Sequence, residues 1–441
     1  MSLNESEEKL GALAKKTFLS MWSYENAFYK SGKELCDVLI VFGNDVIMIS
    51  DKFIQFGDHP RLEVNWQRWY NKAVSGSLRQ LSGAKSHILN FPEQLYVDAK
   101  ASIPLPLKLP PLQQMRIHLL AVANGCEEAC QRATGQQSLY IATQAEDGSK
   151  IFTVGCQTHK GDFVHVISMP ALDAMFDSFD TARDFIDYLV RKQAALEKDA
   201  WLILGEENLI AAYMTSQQGD QAFSIPADRF PCGDTQAART VMPGLWTNYL
   251  ESELRDTRLK LWANSYMIDR MIELTSADYA NGGMIVGQDK PASYHEAAFR
   301  HLAGESRLSR QAIAASYLEI YTEPGSTFWC TFCRSLDDPQ IYYLWLLYPQ
   351  PRPEWPLEEV EQLLGAHLSH YLLVAQSKHR EAKLIFGICA PLKQVSTMTT
   401  VIYKVANMNY WSPQLEEKAK MLMKEYGILE SIFDFTARAI R

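Results

Sequence analysis

The 441-residue chain is 47% hydrophobic and 22% charged, which excludes a largely unfolded polymer and exceeds one ordinary core, so two domains are expected. Its formal net charge of −9 excludes a surface that coats nucleic acid throughout, because such binding rests on phosphate neutralisation, but leaves room for a local basic patch. No stretch has the uncharged apolar length of a bilayer span, the opening "MSLNESEEKLGALAKK" is too acidic and helical for a secretory signal, and eight cysteines without a dense framework fit reduced thiols; a cytoplasmic location is expected.

Residues 5 to 30 read as a helix through Leu10, Leu13, Phe18, Met21 and Trp22. The stretch "GKELCDVLIVFGNDVIMISDK" (32 to 52) then gives strand, turn and strand, with Gly43-Asn44 as a two-residue loop. With that loop Phe42 faces Asp45 and Asp37 faces Ser50. Side chains alternate along a strand, so Lys52 shares that face and Asp51 points away. A three-residue loop would pair Asp37 with Asp51 instead, since one residue of register turns every side chain over.

Residues 65 to 89 form a second helix, on which Arg68, Lys72 and Arg79 fall within roughly 40° of one another. Beside this basic stripe lie Trp66, Trp69 and Tyr70, a combination that serves either to hold a phosphate backbone and stack bases or as a solvated face over an aromatic core. The proline-rich "DAKASIPLPLKLPPL" is an extended connector. Strand-like runs follow at 115–123, 138–143, 151–155 and 163–168, then a helix over 180–198, an alternation that predicts a mixed α/β layer structure.

The texture turns polar and turn-rich over 217–244, where the domain boundary is expected: 1–230 as an α/β domain with a mixed sheet flanked by helices, 231–441 as an α+β domain. The second half carries helical stretches at 245–275, 291–319, 356–378 and 413–427 and four strands. Cys330 and Cys333 have the spacing of half a zinc site, with His367 and His370 as conceivable partners, but strand and helix patterns favour buried cysteines and ordinary histidines. No Walker loop, dinucleotide glycine pattern or serine-nucleophile elbow is present.

The run from Asp37 to Lys52 resembles the core hairpin of the PD-(D/E)xK, or restriction-endonuclease-like, nuclease superfamily, in its nuclease-related, RecB-like branch. The resemblance covers about residues 5 to 90. It implies that Asp37 binds Mg²⁺ or Mn²⁺ and that Lys52 orients the attacking water. The acidic position two before the lysine is Ser50, so the second metal carboxylate falls to Glu63 on the next helix or to Asp51 through a local bulge. Glu25 and Glu34 resemble the family's N-terminal glutamate. Gln80 matches the glutamine of a Q-x-x-x-Y pattern, with Ala84 in place of the aromatic. The implied function is a metal-dependent nuclease acting on DNA in defence or repair, with Arg68, Lys72 and Arg79 on the backbone. The alternative is a non-catalytic scaffold on a decayed nuclease fold, its C-terminal half serving as a protein-interaction or homo-oligomer module.

Overall fold

The computed structural model describes residues 5–429 except 147, 156–157, 160, 216–238, 285, 322–327, 350–353, 393–400 and 408–410. It is a mixed α/β protein, with three sheets among the described residues, in two units, Met1–Arg258 and Leu259–Arg441. Among the described residues no helix is long and apolar enough to cross a membrane.

The first unit begins with α1 (Glu5–Trp22), which is broken at Leu19 (φ 62). The chain then enters β1 (Ser23–Lys30), so the helix expected over 5–30 ends eight residues early. The aromatic run Tyr24, Phe28, Tyr29 belongs to a strand edge, a choice decided by pairing with the next strand that helical spacing does not reveal. β2 (Lys33–Phe42) and β3 (Asp45–Phe53) form the expected hairpin: Phe42 pairs with Asp45 and Val38 with Ile49, and Gly43 adopts φ 60 in the turn. Residues 38–42 and 45–51 are nearly all buried. Helices cover both faces of this sheet, which explains the unbroken apolar runs.

Helix α2 (Leu62–Asn90) is the crossover that lets β4 (Arg116–Asn124) join β3 in parallel. After α3 (Glu127–Thr134) come the short strands β5 (Tyr140–Ala142), β6 (Thr153–Val154) and β7 (Thr158–His159), then β8 (Asp162–Ile167), which pairs in parallel with β4. The main sheet runs β1-β2-β3-β4-β8-β7. Helices α4 (Met169–Ser178) and α5 (Ala182–Lys198), the latter capped by Thr181, lead to β9 (Trp201–Ile203) and α6 (Glu206–Thr215). β10 (Arg239–Val241) pairs with β9 in a small sheet, and α7 (Leu245–Leu250) and α8 (Glu253–Trp262) follow. The boundary thus falls at 258/259 and not within 217–244. The polar segment, largely outside the described residues, leads to a strand that pairs back onto the first unit.

The second unit has α9 (Tyr266–Ala280), α10 (Ala292–Ala303) and α11 (Arg307–Tyr321), then the sheet β11-β12-β13-β14. Its strands are β11 (Trp329–Arg334), β12 (Ile341–Tyr348), β13 (Leu384–Pro391) and β14 (Ile402–Asn407). Helix α12 (Leu357–Lys378) connects β12 to β13, and α13 (Pro413–Tyr426), capped by Ser412, packs on α12 beside one face of the sheet. Cys330 and Cys333 are three apart on β11 and therefore point to opposite faces. Cys333 receives a hydrogen bond from Ser316 on α11, whereas Cys330 packs against the α12 side. They cannot share a metal, and both are free thiols.

Candidate active site around Asp37

The hairpin register sets the site. Extending the Val38–Ile49 pair by one residue puts Asp37 opposite Ser50, on the face covered by α2. Ser50 Oγ donates to Gln80 Oε1 at 3.3 Å. Lys52, two residues on, runs along the same helix: its Nζ lies 3.1 Å from where a β-carbon on Gly76 would stand. Gly76 and Gln80 are one turn apart, so one stripe of α2 receives both side chains. Asp51 points to the opposite face, where Ser6 of α1 donates to Oδ2 and Asn124 Nδ2 donates to Oδ1 at 2.7 Å. Its backbone N–H turns back and donates to Asp37 Oδ2 at 2.6 Å. Asp37, Ser50, Lys52 and Gln80 are therefore brought together as expected, with Asp51 joined through its backbone.

Charge in this region is unbalanced. Burial pushes the Asp37 carboxyl up to about 7; the Asp51 N–H opposes this, while Glu34, Asp51 and Glu7 add to it. Burial likewise raises Asp51, with Glu7 and Glu127 adding to it and the Ser6 and Asn124 bonds opposing it. Glu34, at the start of β2, is raised by burial and by Glu7. Lys52 is lowered by burial and by Arg79, against the attraction of Asp37. Asp37 is thus repelled by Glu34, Asp51 and Glu7, and it is the carboxylate that attracts Lys52.

Glu7 was not anticipated. It comes from the first turn of α1, some thirty residues before the hairpin, and no local pattern links the two. A helix opening on Glu5, Glu7 and Glu8 reads as ordinary dipole compensation.

Two expected residues lie elsewhere. Glu63 is exposed in the first turn of α2; thirteen residues before Gly76, it stands about 20 Å away along the helix axis at about 1.5 Å per residue. It cannot complete a shell at Asp37. Glu25, on β1, pairs with Lys15 at 2.7 Å.

The basic stripe is exposed at Arg68, Lys72 and Arg79. Its aromatic neighbours are not: Trp66 and Trp69 are 2% and 1% exposed and stack on each other, and their indole N–H groups donate to the carbonyls of Gly148 and Asn124. Their hydrogen bonds are satisfied inside, so base stacking on them is excluded. The helix presents charge to solvent over an aromatic core.

Among the described residues no three His, Cys, Asp or Glu side chains converge tightly enough to hold a metal ion between them. Mg²⁺ is commonly held by one or two carboxylates, with waters and substrate phosphate completing six oxygens. Asp37 offers one carboxylate that suits such an ion; Asp51 meets it only through its backbone N–H and adds no oxygen. Gly76→Ala should displace the Lys52 ammonium, because its β-carbon would press on a flexible side-chain end, while costing the fold under about 1 kcal/mol. A changed Lys52 side-chain NMR signal with an unchanged melting temperature would bear this out.

Comparison of the chain with family models, with curated proteins and with solved structures found no match.

Proposed function

We propose that the first unit is a metal-dependent nuclease that hydrolyses phosphodiester bonds, with DNA as the substrate the hairpin resemblance implies. The observation that carries this reading is the convergence of Asp37, Ser50, Lys52 and Gln80 on one face of the hairpin, with the Asp37 carboxyl pushed up by burial and by Glu34, Asp51 and Glu7. In this reading Asp37 would hold Mg²⁺ or Mn²⁺, with waters and substrate phosphate completing the shell; the regular register of β3 leaves no bulge to turn Asp51 inward, and the ion would supply an acidified water and neutralise phosphate charge. Lys52, already poorer in proton affinity than an exposed lysine, orients that water. Gln80 holds Ser50 and through it the end of β3. Arg68, Lys72 and Arg79 contact the nucleic-acid backbone as point charges.

A second reading is favoured by one observation: both Asp51 oxygens already accept hydrogen bonds, from Ser6 and Asn124. On that reading the unit is a scaffold whose metal shell has lapsed.

The deciding experiment is cleavage of single- and double-stranded DNA and RNA with Mg²⁺ or Mn²⁺. Lys52→Ala should reduce the rate by roughly 10²-fold or more, whereas Asp51→Asn, whose side chain faces α1, and Glu63→Gln should leave it nearly unchanged. No cleavage of any substrate, with neither metal binding by calorimetry, leaves the scaffold.

A further inference from the structure

Asn124, the last residue of β4, is 3% exposed and commits its whole side chain to the far side of the hairpin. Its Nδ2 donates to Asp51 Oδ1 at 2.7 Å and to Ser6 Oγ at 3.4 Å, and its Oδ1 accepts from the Met169 N–H at the start of α4 at 2.9 Å. A carboxylate on one side and an N–H donor on the other leave the amide a single orientation. The Asn124 carbonyl accepts from the Ile54 N–H just past β3 at 3.0 Å and from Trp69 Nε1 of α2 at 3.2 Å, so its main chain is tied as well. Ser6 closes the group by donating to Asp51 Oδ2.

What this clamp controls is the Asp51 peptide. Pairing between β2 and β3 ends at Val38–Ile49. Two residues further along β3, beyond that ladder, the Asp51 N–H donates to Asp37 Oδ2 at 2.6 Å. Among the described residues no other group donates to Asp37. An N–H to a carboxylate is a charge-assisted bond, roughly twice as strong as a neutral one; it orients the carboxyl group through Oδ2 and leaves Oδ1 to face a ligand. Holding the Asp51 carboxylate on the α1 side of the sheet fixes its Cα, and with it the direction of the N–H, because a planar peptide leaves only two soft dihedrals per residue.

We propose that Asn124 and Ser6 are positioning residues for Asp37, acting through the Asp51 side chain and the Asp51 N–H. The use made of Asp37 rests on the nuclease reading; its placement does not.

The test reads the Asp51 amide proton by NMR in the full chain at pH 8, with Asp37→Ala as the reference in which the bond is lost. A proton held by a carboxylate resonates downfield, so loosening the clamp moves the signal upfield. Asn124→Ala should carry it most of the way to its position in Asp37→Ala, and Ser6→Ala part of the way. Asn124→Ala also frees the Met169 N–H; where that variant fails to fold, Ser6→Ala, which leaves α4 alone, carries the test. In protein that cleaves with Mg²⁺, Asn124→Ala should also lower metal affinity about 10- to 100-fold, whereas Asp51→Asn, which keeps an oxygen for Asn124, should not. An amide signal that moves as stated in protein that cleaves no substrate would sink the nuclease reading and leave the placement of Asp37 standing. A signal that stays at its wild-type position in both variants overturns the positioning role, whether or not cleavage is seen.

Discussion

Asp37→Asn should raise the stability of the first unit by about 2 kcal/mol at pH 8 while abolishing metal-dependent cleavage. Its carboxyl is pushed up from 3.8 to about 7, chiefly by burial and then by Glu34, Asp51 and Glu7. An acid whose folded pKa lies above its unfolded value weakens the fold as pH rises from the unfolded pKa to the folded one, and the loss is complete above about pH 7. The full shift corresponds to about 4 kcal/mol; partial exposure of the side chain to water reduces that by about half. Asparagine keeps an oxygen for the Asp51 N–H and removes the charge. Unfolding at pH 8 should therefore show the variant ahead of wild type, and at pH 4 the two should coincide. If Asp37 holds a divalent ion as proposed, the ion would compete with the proton, so Mg²⁺ affinity should climb about tenfold per pH unit below pH 7 and level off above. A variant less stable than wild type at pH 8 would show that Asp37 is a structural strand-end charge, and the active-site reading would lose its foundation.

The hairpin was legible because a two-residue turn fixes register, and register fixes which of Ser50, Asp51 and Lys52 shares a face with Asp37. The α/β class followed from alternating strand and helix periods. Beyond that, local pattern failed wherever a tertiary contact decides. Glu63 had the right residue type on the right helix, but the sequence does not say which turn of α2 crosses Lys52; Gly76 and Gln80 mark it, and only the packing identifies them. Glu7 reaches the site through the packing of α1, which no spacing encodes. Trp66 and Trp69 stood beside the basic stripe in sequence as readily as binding residues would, and their burial, with indole hydrogen bonds to the carbonyls of Gly148 and Asn124, makes them core. The boundary moved because β10 is three residues long and finds its pairing partner across an intervening segment.

Glu305→Gln should make the second unit more stable at pH 8 by about 3 kcal/mol and leave it nearly unchanged at pH 5. Glu305 is 2% exposed at the turn between α10 and α11. Its oxygens accept from Ser335 Oγ and from Tyr343 OH, each at 2.7 Å. The two neighbouring buried arginines, Arg307 and Arg310, direct their charge to Asp269 instead. Arg310 gives Glu305 only a bond to its backbone carbonyl. Burial, and then repulsion from Asp337, push the carboxyl from 4.5 up to about 7 against its hydrogen bonds to Ser309, Tyr343 and Ser335. Between those two values the folded state binds more protons than the unfolded state, so stability falls as pH rises through this window and stays at its lower value above it. Glutamine removes the charge that Asp337 repels and keeps one oxygen that can accept from Ser335 or Tyr343. Denaturant unfolding at pH 5, 6, 7 and 8 should give a falling curve for wild type that flattens near pH 7, and a curve for the variant lacking that fall. A wild-type stability that is level from pH 5 to 8, or a variant that unfolds more easily at pH 8, would mean that Glu305 is compensated, and that its burial beside Asp337 costs the fold little.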